Sequence, residues 1–185
     1  MESKRVKDLM LPLSEYAVVS RDVTLRQALE NLAAAQKKLP PGKPLHRAVL
    51  VMDETGRIVG KLGQLGFLKA LEPKYAALDD LEKLTQARLS QEFITSVMET
   101  YRFWQDSLED VCRRAQKIHV GQVMSPIEAS IEENKSLPEA IHHMVMLQSL
   151  SLLVTRQGSA VGILRLSDLF MEVASYVTSA ECPED

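Results

Sequence analysis

Three side chains that can bind a polar ligand lie close together in the segment 161–170. Arg165, Ser167 and Asp168 stand between an apolar strand and an apolar-periodic helix. Gly162, within the strand, permits a bend or a close backbone approach that a side chain would block. A carboxylate at a helix start lies beside unpaired N–H groups, where it can cap the helix or accept hydrogen bonds from a ligand's hydroxyl groups. These ten residues alone favour a helix cap.

This segment belongs to the second of two similar halves of the chain. Residues 6–12 and 120–126 share one pattern, in which valine is followed by two residues, an apolar residue, methionine, one residue and proline. Such internal similarity indicates a repeated structural unit. In both halves a short strand and then a helix follow this opening. Each helix is predicted to begin with a capping box, formed by Thr24 with Gln27 and by Ser136 with Glu139.

Both halves continue with two apolar runs joined by a polar turn that contains glycine, in residues 48–60 and 150–164. This pattern indicates a β-hairpin. A further helix follows in each half, so that each half has the order strand, helix, strand, strand, helix. The fold class is therefore predicted to be α/β, or α+β in looser usage. In the first half the prolines of the loop 37–45 exclude regular structure.

A helical insert separates the halves. Its apolar residues recur every three or four positions from Leu89 to Ile118, which predicts one continuous helical face that includes Trp104. A helix capped by Asp79 or Asp80 would be about 60 Å long. That length favours either a break into two helices or an extension beyond the module. The apolar stripe must be covered by the chain's own core or by a dimer partner, and we favour the dimer.

Composition limits the classes of function. The 185 residues are 45% hydrophobic and carry a net charge of −3, with no basic surface of the kind that binds nucleic acid. Cys112 and Cys182 are too few and too far apart for a disulfide framework. No signal peptide or membrane span is predicted. We expect a cytoplasmic protein.

The repeated order of these features resembles a tandem pair of CBS domains, also called a Bateman module. The resemblance rests on the Val-x-x-apolar-Met opening, the capped helix, the hairpin, and the glycine at 162 followed by the aspartate at 168. It divides the chain into a first repeat (1–73), the helical insertion (74–118), a second repeat (119–180) and a tail (181–185). It also implies that two βαββα repeats pack with pseudo-two-fold symmetry.

The resemblance implies a regulatory, ligand-binding protein. In this family an adenosine-containing ligand such as AMP, ADP, ATP or S-adenosylmethionine lies between the repeats, and the motif aspartate accepts from the ribose. No cofactor is required, and the protein is expected to form a homodimer, partly through the insert, and to act on a partner protein. The implied ligand-binding residues are Gly162, Arg165, Ser167, Asp168, Ser125 and Ala129.

The sequence departs from the family pattern in both repeats. Arg165 replaces the Thr or Ser that is expected before the aspartate. It can hold phosphate, point to solvent, or fill the cleft and exclude phosphate. In the first repeat, Gly63 and Gly66 replace the hydroxyl residue and the aspartate, so we expect at most one motif-type site per chain. These departures support the alternative of a scaffold that binds no nucleotide. No catalytic constellation is present, so an enzyme is not predicted.

Overall fold

Two four-stranded sheets, each covered by helices, form the protein. The computed structural model describes residues 4–77 and 90–179. The first half contains β1 (Leu11–Pro12), β2 (Val18–Ser20), α1 (Leu25–Lys37), β3 (Ala48–Met52), β4 (Ile58–Gly63) and α2 (Gln64–Leu71). The insert contains α3 (Gln91–Tyr101) and α4 (Leu108–Ala115). The second half contains α5 (Val120–Val123), β5 (Ser125–Pro126), β6 (Ser130–Glu132), α6 (Leu137–Met146), β7 (Ser151–Arg156), β8 (Ser159–Arg165) and α7 (Leu166–Thr178).

The two halves exchange their opening strands. One sheet has the order β2-β3-β4-β5 and the other has the order β1-β8-β7-β6. β1 pairs antiparallel with β8, with Leu11 opposite Ile163, and β5 pairs antiparallel with β4, with Ser125 opposite Lys61. The same strand order in both sheets confirms the predicted repeat and its pseudo-two-fold symmetry. The exchange was not predicted from the sequence.

Both predicted capping boxes are present. The amide of Gln27 donates to Thr24 Oγ1 at 3.3 Å, and the amide of Thr24 donates to Gln27 Oε1 at 2.9 Å. Ser136 and Glu139 make the same two bonds at the start of α6, at 3.3 and 3.0 Å. These bonds satisfy amide groups that the first helical turn leaves unpaired. They fix where α1 and α6 begin.

A third apolar cluster lies between the two sheets, in addition to one core in each repeat. Its buried members come from both halves and are Leu11, Tyr16, Leu50, Leu153 and Ile163. Because β1 carries Leu11 into the second sheet, the exchanged strand contributes to this shared core. The two repeats therefore form one packed unit, and the end of β8 lies at their contact.

Between residues 90 and 118, the described part of the insert forms two helices and not one continuous helix. Arg102 and Trp104 have positive φ angles of 47° and 57°, which end the helical path after α3. Two residues that closely follow α2 bind the backbone around them. The amide of Trp104 donates to the buried Glu72 Oε2 at 2.6 Å. Lys74 Nζ donates to the carbonyl of Arg102 at 2.8 Å. Of the two alternatives, the break is correct. The predicted start at Asp79 or Asp80 lies outside the described residues.

The two helices of the insert are buried to different extents. Ala115, at the end of α4, is buried in the core of the first repeat. On α3, Phe93, Ile94 and Met98 are 40%, 38% and 60% exposed. Among the residues of the predicted stripe, Phe93 and Leu108 are exposed, Val97 and Tyr101 are half-buried, and Ala115 is buried. The chain's own core therefore covers the stripe only in part.

Candidate functional site

The segment that joins β8 to α7 differs from the predicted cap. Arg165 is the N-cap residue of α7, and its side chain makes no capping bond to the helix backbone. Ser167 and Asp168 lie inside the first helical turn, so the prediction that they cap the helix is wrong. An acidic residue in the first turn is favoured by the helix dipole, and Asp168 lies there, one turn beyond Arg165.

Arg165 and Asp168 form a buried ion pair. Arg165 Nη2 donates to Asp168 Oδ1 at 2.7 Å, and Arg165 Nε donates to Asp168 Oδ2. The two side chains are only 5% and 6% exposed. Such a two-bond pairing of guanidinium and carboxylate is the strongest hydrogen-bonded arrangement open to these side chains. Both carboxylate oxygens of Asp168 therefore have an internal donor.

The remaining donors of Arg165 point across to the first repeat. Its Nη1 donates to the carbonyl oxygen of Pro44 at 2.8 Å and contacts His46 Nδ1 at 3.2 Å. Pro44 and His46 belong to the loop between α1 and β3. Gln36 Nε2, on α1, donates to the carbonyl of His46 at 2.9 Å and holds the end of this loop. Arg165 thus joins the helix start of one repeat to the proline-containing loop of the other.

His46 and Tyr16 complete the buried cluster. Their rings meet edge to face with centroids 4.4 Å apart, and the His46 side chain is fully buried. Burial, and then the positive charge of Arg165, hold the pKa of His46 below 6.5. Burial also raises the pKa of Tyr16 to about 12, against the opposite effect of Arg165. At neutral pH both rings are uncharged.

The cluster is closed by its own members. Because Asp168 is buried and paired with Arg165, its carboxylate is not accessible to a ribose in this arrangement. A cavity of about 420 Å³ adjoins Tyr16, between the β1–β2 connection and the end of α1, and Lys38 and Pro40 contribute to its wall. Within residues 4–77 and 90–179, no group of three or more His, Cys, Asp and Glu side chains is arranged to hold a metal ion.

Comparison with known proteins identifies the fold. The family model of the CBS domain matches residues 120–175. The CBS domain of a CBS domain-containing membrane protein from Sphaerobacter thermophilus superposes with a TM-score of 0.61 at 19% identity, covering 92% of this chain and 88% of the other. The chain folds as a tandem CBS-domain pair. Among curated proteins, none matches the sequence significantly.

Two other CBS-pair structures carry nucleotides. One is CBSX2 of Arabidopsis thaliana in complex with AMP, with a TM-score of 0.59 at 17% identity, covering 96% of this chain and 100% of the other. The other is the CBS domain of a bacterial CNNM/CorC family Mg²⁺ transporter in complex with ATP, with a TM-score of 0.57 at 16% identity, covering 94% and 89%. In the described part of the present chain, no helix has the length and apolar character to span a membrane.

Within the CBS pair, the predicted ligand-binding residues do not all meet. Ser125 is exposed on β5, opposite Lys61 in the sheet that does not contain β8. Ala129 is half-buried and packs against the core of the second repeat. Gly162 lies within β8, where an added Cβ would be 2.6 Å from the carbonyl oxygen of Leu11. The glycine thus permits the close approach of the exchanged strand. Ser167 is half-buried in the first turn of α7.

The first repeat has no ion pair equivalent to that of Arg165 and Asp168 at the matching positions. Gly63 is the N-cap residue of α2, and Gly66 lies within this helix, where an added Cβ would be 2.7 Å from Leu62 Cδ1. Neither position has a side chain that can bind a ligand. That the site of this repeat is lost stays a prediction.

Sequence reasoning missed the first-repeat members of the cluster. The motifs assigned neither Tyr16 nor His46 to a site, and they used Pro44 only to exclude regular structure in the loop. The one available signal was a histidine directly before the apolar run of β3, at the end of a loop that contains three prolines. Nothing in that pattern indicates a contact with a residue of the other repeat.

Proposed function

We propose that this CBS pair is a regulatory module that acts as an interaction scaffold, with its Asp168 cleft filled by its own side chains at neutral pH. The observation that carries the proposal is the buried, two-bond pairing of Arg165 with Asp168. Proteins with CBS domains of this kind are typically regulatory and not catalytic.

The energetic argument concerns the carboxylate of Asp168. Each carboxylate oxygen could accept a second hydrogen bond, but the side chain is only 6% exposed, so a ribose reaches it only if Arg165 or the residues that cover the pair move away. Separating a buried ion pair costs about 3–5 kcal/mol, because each charge loses its partner in a poorly solvated place. That cost weakens an otherwise adequate nucleotide site by roughly a hundred- to several-thousand-fold. The rings of Tyr16 and His46 lie beside the pair, and a ligand would have to displace these side chains as well.

The scaffold acts through protein–protein contacts. Support comes from α3, which leaves Phe93, Ile94 and Met98 exposed on one helix of the insert. We place a homodimer contact there, and the regulated partner protein binds the resulting dimer. Apolar side chains grouped on one exposed helix favour such a contact over a solvated surface.

The second candidate function is a sensor of an adenosine-containing ligand, such as AMP, ADP, ATP or S-adenosylmethionine. It is favoured by the AMP bound to CBSX2 and the ATP bound to the CNNM/CorC family module, and by the presence of Asp168 at the family's ribose position. In this case the ligand would replace Arg165 on the carboxylate, and Arg165 would turn to the phosphate.

Isothermal titration calorimetry with these four ligands at neutral pH distinguishes the two functions. The full chain and its Asp168→Ala variant are measured side by side, and circular dichroism verifies that both are folded. The scaffold proposal expects no saturable heat from the wild type. Saturable binding near one site per chain that disappears in Asp168→Ala overturns it and establishes the sensor.

A further inference from the structure

The loop between α1 and β3 contacts the second repeat, although the strand pairing of the two sheets does not depend on this contact. Residues 38–47 leave the first repeat and bring the Pro44 carbonyl and the His46 ring onto Arg165, at the start of the second repeat's last helix. This contact covers the ion pair of Arg165 with Asp168 from the side of the first repeat. The loop therefore shields this ion pair, and its departure would expose the pair to solvent.

The contact depends on the protonation state of His46. A guanidinium has only donors, so the His46 Nδ1 that faces Arg165 Nη1 at 3.2 Å must be the nitrogen without a proton. The proton of the neutral ring is then on Nε2, which is buried and has no hydrogen-bond partner among the described residues. Protonation would place an N–H group at Nδ1, directly against the N–H group of Arg165. The attraction would become a repulsion between two buried cations.

The groups around His46 determine the direction of this effect. Arg165 faces the ring from the end of β8, Asp168 from α7, and Tyr16 from the β1–β2 connection. Arg165 and burial disfavour the imidazolium, while Asp168 and the backbone of Glu15 favour it. Since both oxygens of Asp168 are already bonded to Arg165, the unfavourable influences prevail, and the pKa of His46 is lowered.

We propose that His46, the loop 38–47 and Arg165 form a proton-sensitive latch between the two repeats. With His46 neutral, the loop is held on Arg165, and Asp168 is covered. When His46 takes up a proton, the loop leaves Arg165, and the carboxylate of Asp168 becomes accessible from the first repeat. The proposal rests on the proposed function in one respect, that the cleft is closed by its own side chains at neutral pH.

Linkage gives the size of the expected response. The closed state binds a proton at His46 less readily than the open state, in which the ring is exposed and titrates near its ordinary value of 6.5. Acidification therefore favours the open state. The open population rises as the pH falls below 6.5, by at most tenfold for each pH unit, until the pKa of the closed state is reached.

The test follows solvent exchange of the Arg165 Nε–H proton by NMR in the full chain without any ligand. This proton donates to Asp168 and is buried in the closed state, and Arg165→Lys identifies its signal. Exchange of such protons is catalysed by base, so acid alone slows it. After correction for this intrinsic rate, the latch predicts a rise in exchange below pH 6.5, of up to tenfold per pH unit.

Two histidine variants make the test specific. His46→Asn retains an acceptor close to the position of Nδ1 but does not titrate, so its corrected exchange rate stays flat with pH. His143→Asn removes an exposed histidine of α6 and should behave as the wild type. A flat wild-type profile, or an equal rise in His46→Asn, overturns the latch. If His46→Asn is unfolded, His46→Gln replaces it, and the same two outcomes decide.

The latch and the proposed function can fail separately. Nucleotide binding by the wild type at neutral pH would overturn the scaffold. It would not affect the exchange measurement, because that measurement contains no nucleotide. A titration of the His46 ring protons supplies an independent readout. If that ring takes up a proton while the Arg165 signal keeps its corrected exchange rate, the latch is wrong whatever the calorimetry shows.

Discussion

Arg165 and Asp168, one turn apart at the start of α7, bind each other through two hydrogen bonds in the buried contact between the repeats. The aspartate that the sequence predicts as a ribose acceptor thus has an arginine of the same chain as its partner. The pair also connects to the first repeat, because the third nitrogen of the guanidinium contacts Pro44 and His46. Asp168 therefore makes a structural contact, and its substitution should lower the free energy of unfolding.

Removing one partner of this pair should destabilise the protein more than removing both. We expect Arg165→Met and Asp168→Leu each to lower the free energy of unfolding by about 3–5 kcal/mol, because each leaves a buried charge without its counter-ion. The double variant should recover most of this loss. Urea unfolding of the four proteins gives the coupling energy. Additive losses would show that the two side chains act independently.

Gly162 and its counterpart Gly60 should both resist substitution by alanine. An added Cβ would meet the Leu11 carbonyl oxygen at 2.6 Å in one case and the Ser125 carbonyl oxygen at 2.9 Å in the other. Each substitution should cost about 1–3 kcal/mol through displacement of the exchanged strand. Gly63→Ala is the matched control, because its nearest neighbour would lie at 3.9 Å. Thermal unfolding that ranks all three variants alike would contradict this explanation.

Tyr16 should make the protein sensitive to alkali. Because burial raises its pKa from 10.0 to about 12, the folded state retains the phenolic proton at a pH where the unfolded chain releases it. The free energy of unfolding therefore falls as the pH rises above 10. Tyr16→Phe should remove this dependence. The difference between the tyrosinate absorbance titrations of the wild type and Tyr16→Phe isolates this group, and a midpoint near 10 would disprove the expected shift.

Met98 tests the dimer contact on the insert. Its side chain is 60% exposed on α3, beside Phe93 and Ile94. A charge at this position should weaken self-association by about tenfold or more, since a carboxylate would be enclosed by apolar side chains. Sedimentation velocity over a range of concentrations compares the wild type with Met98→Glu. Glu99→Gln, at the adjacent exposed position, is the control. A wild type that remains monomeric at every concentration excludes this dimer.

Local rules were sufficient to predict the repeats. The capping boxes at Thr24 and Ser136 depend on residues three positions apart, and the hairpins on a turn and two apolar runs. The break at Trp104 could not be predicted in the same way, because it is held by Glu72, which lies far away in sequence. Apolar periodicity detects the face of a helix but not a backbone contact that ends it.

The site was predictable only in part for the same reason. Asp168 and Arg165 were recognised from a local motif, and their roles toward a ligand stay predictions; the structure shows that Arg165 is buried and bonded to Asp168. Its contact with His46 joins residues 119 positions apart, and no pattern within one segment indicates it. The burial of Tyr16 likewise depends on the packing of the two sheets.

The exchange of β1 and β5 has a consequence for how the chain is made. The sheet of the first half lacks its outer strand until Ser125 and Pro126 have been synthesised, and the last strand of the second half pairs with residues made at the beginning. The first half therefore cannot finish folding until the start of the second half has been made, and each half alone would present an unpaired sheet edge. Two fragments cut within the insert would each carry a strand that the other needs, so they should become ordered only by assembling with each other.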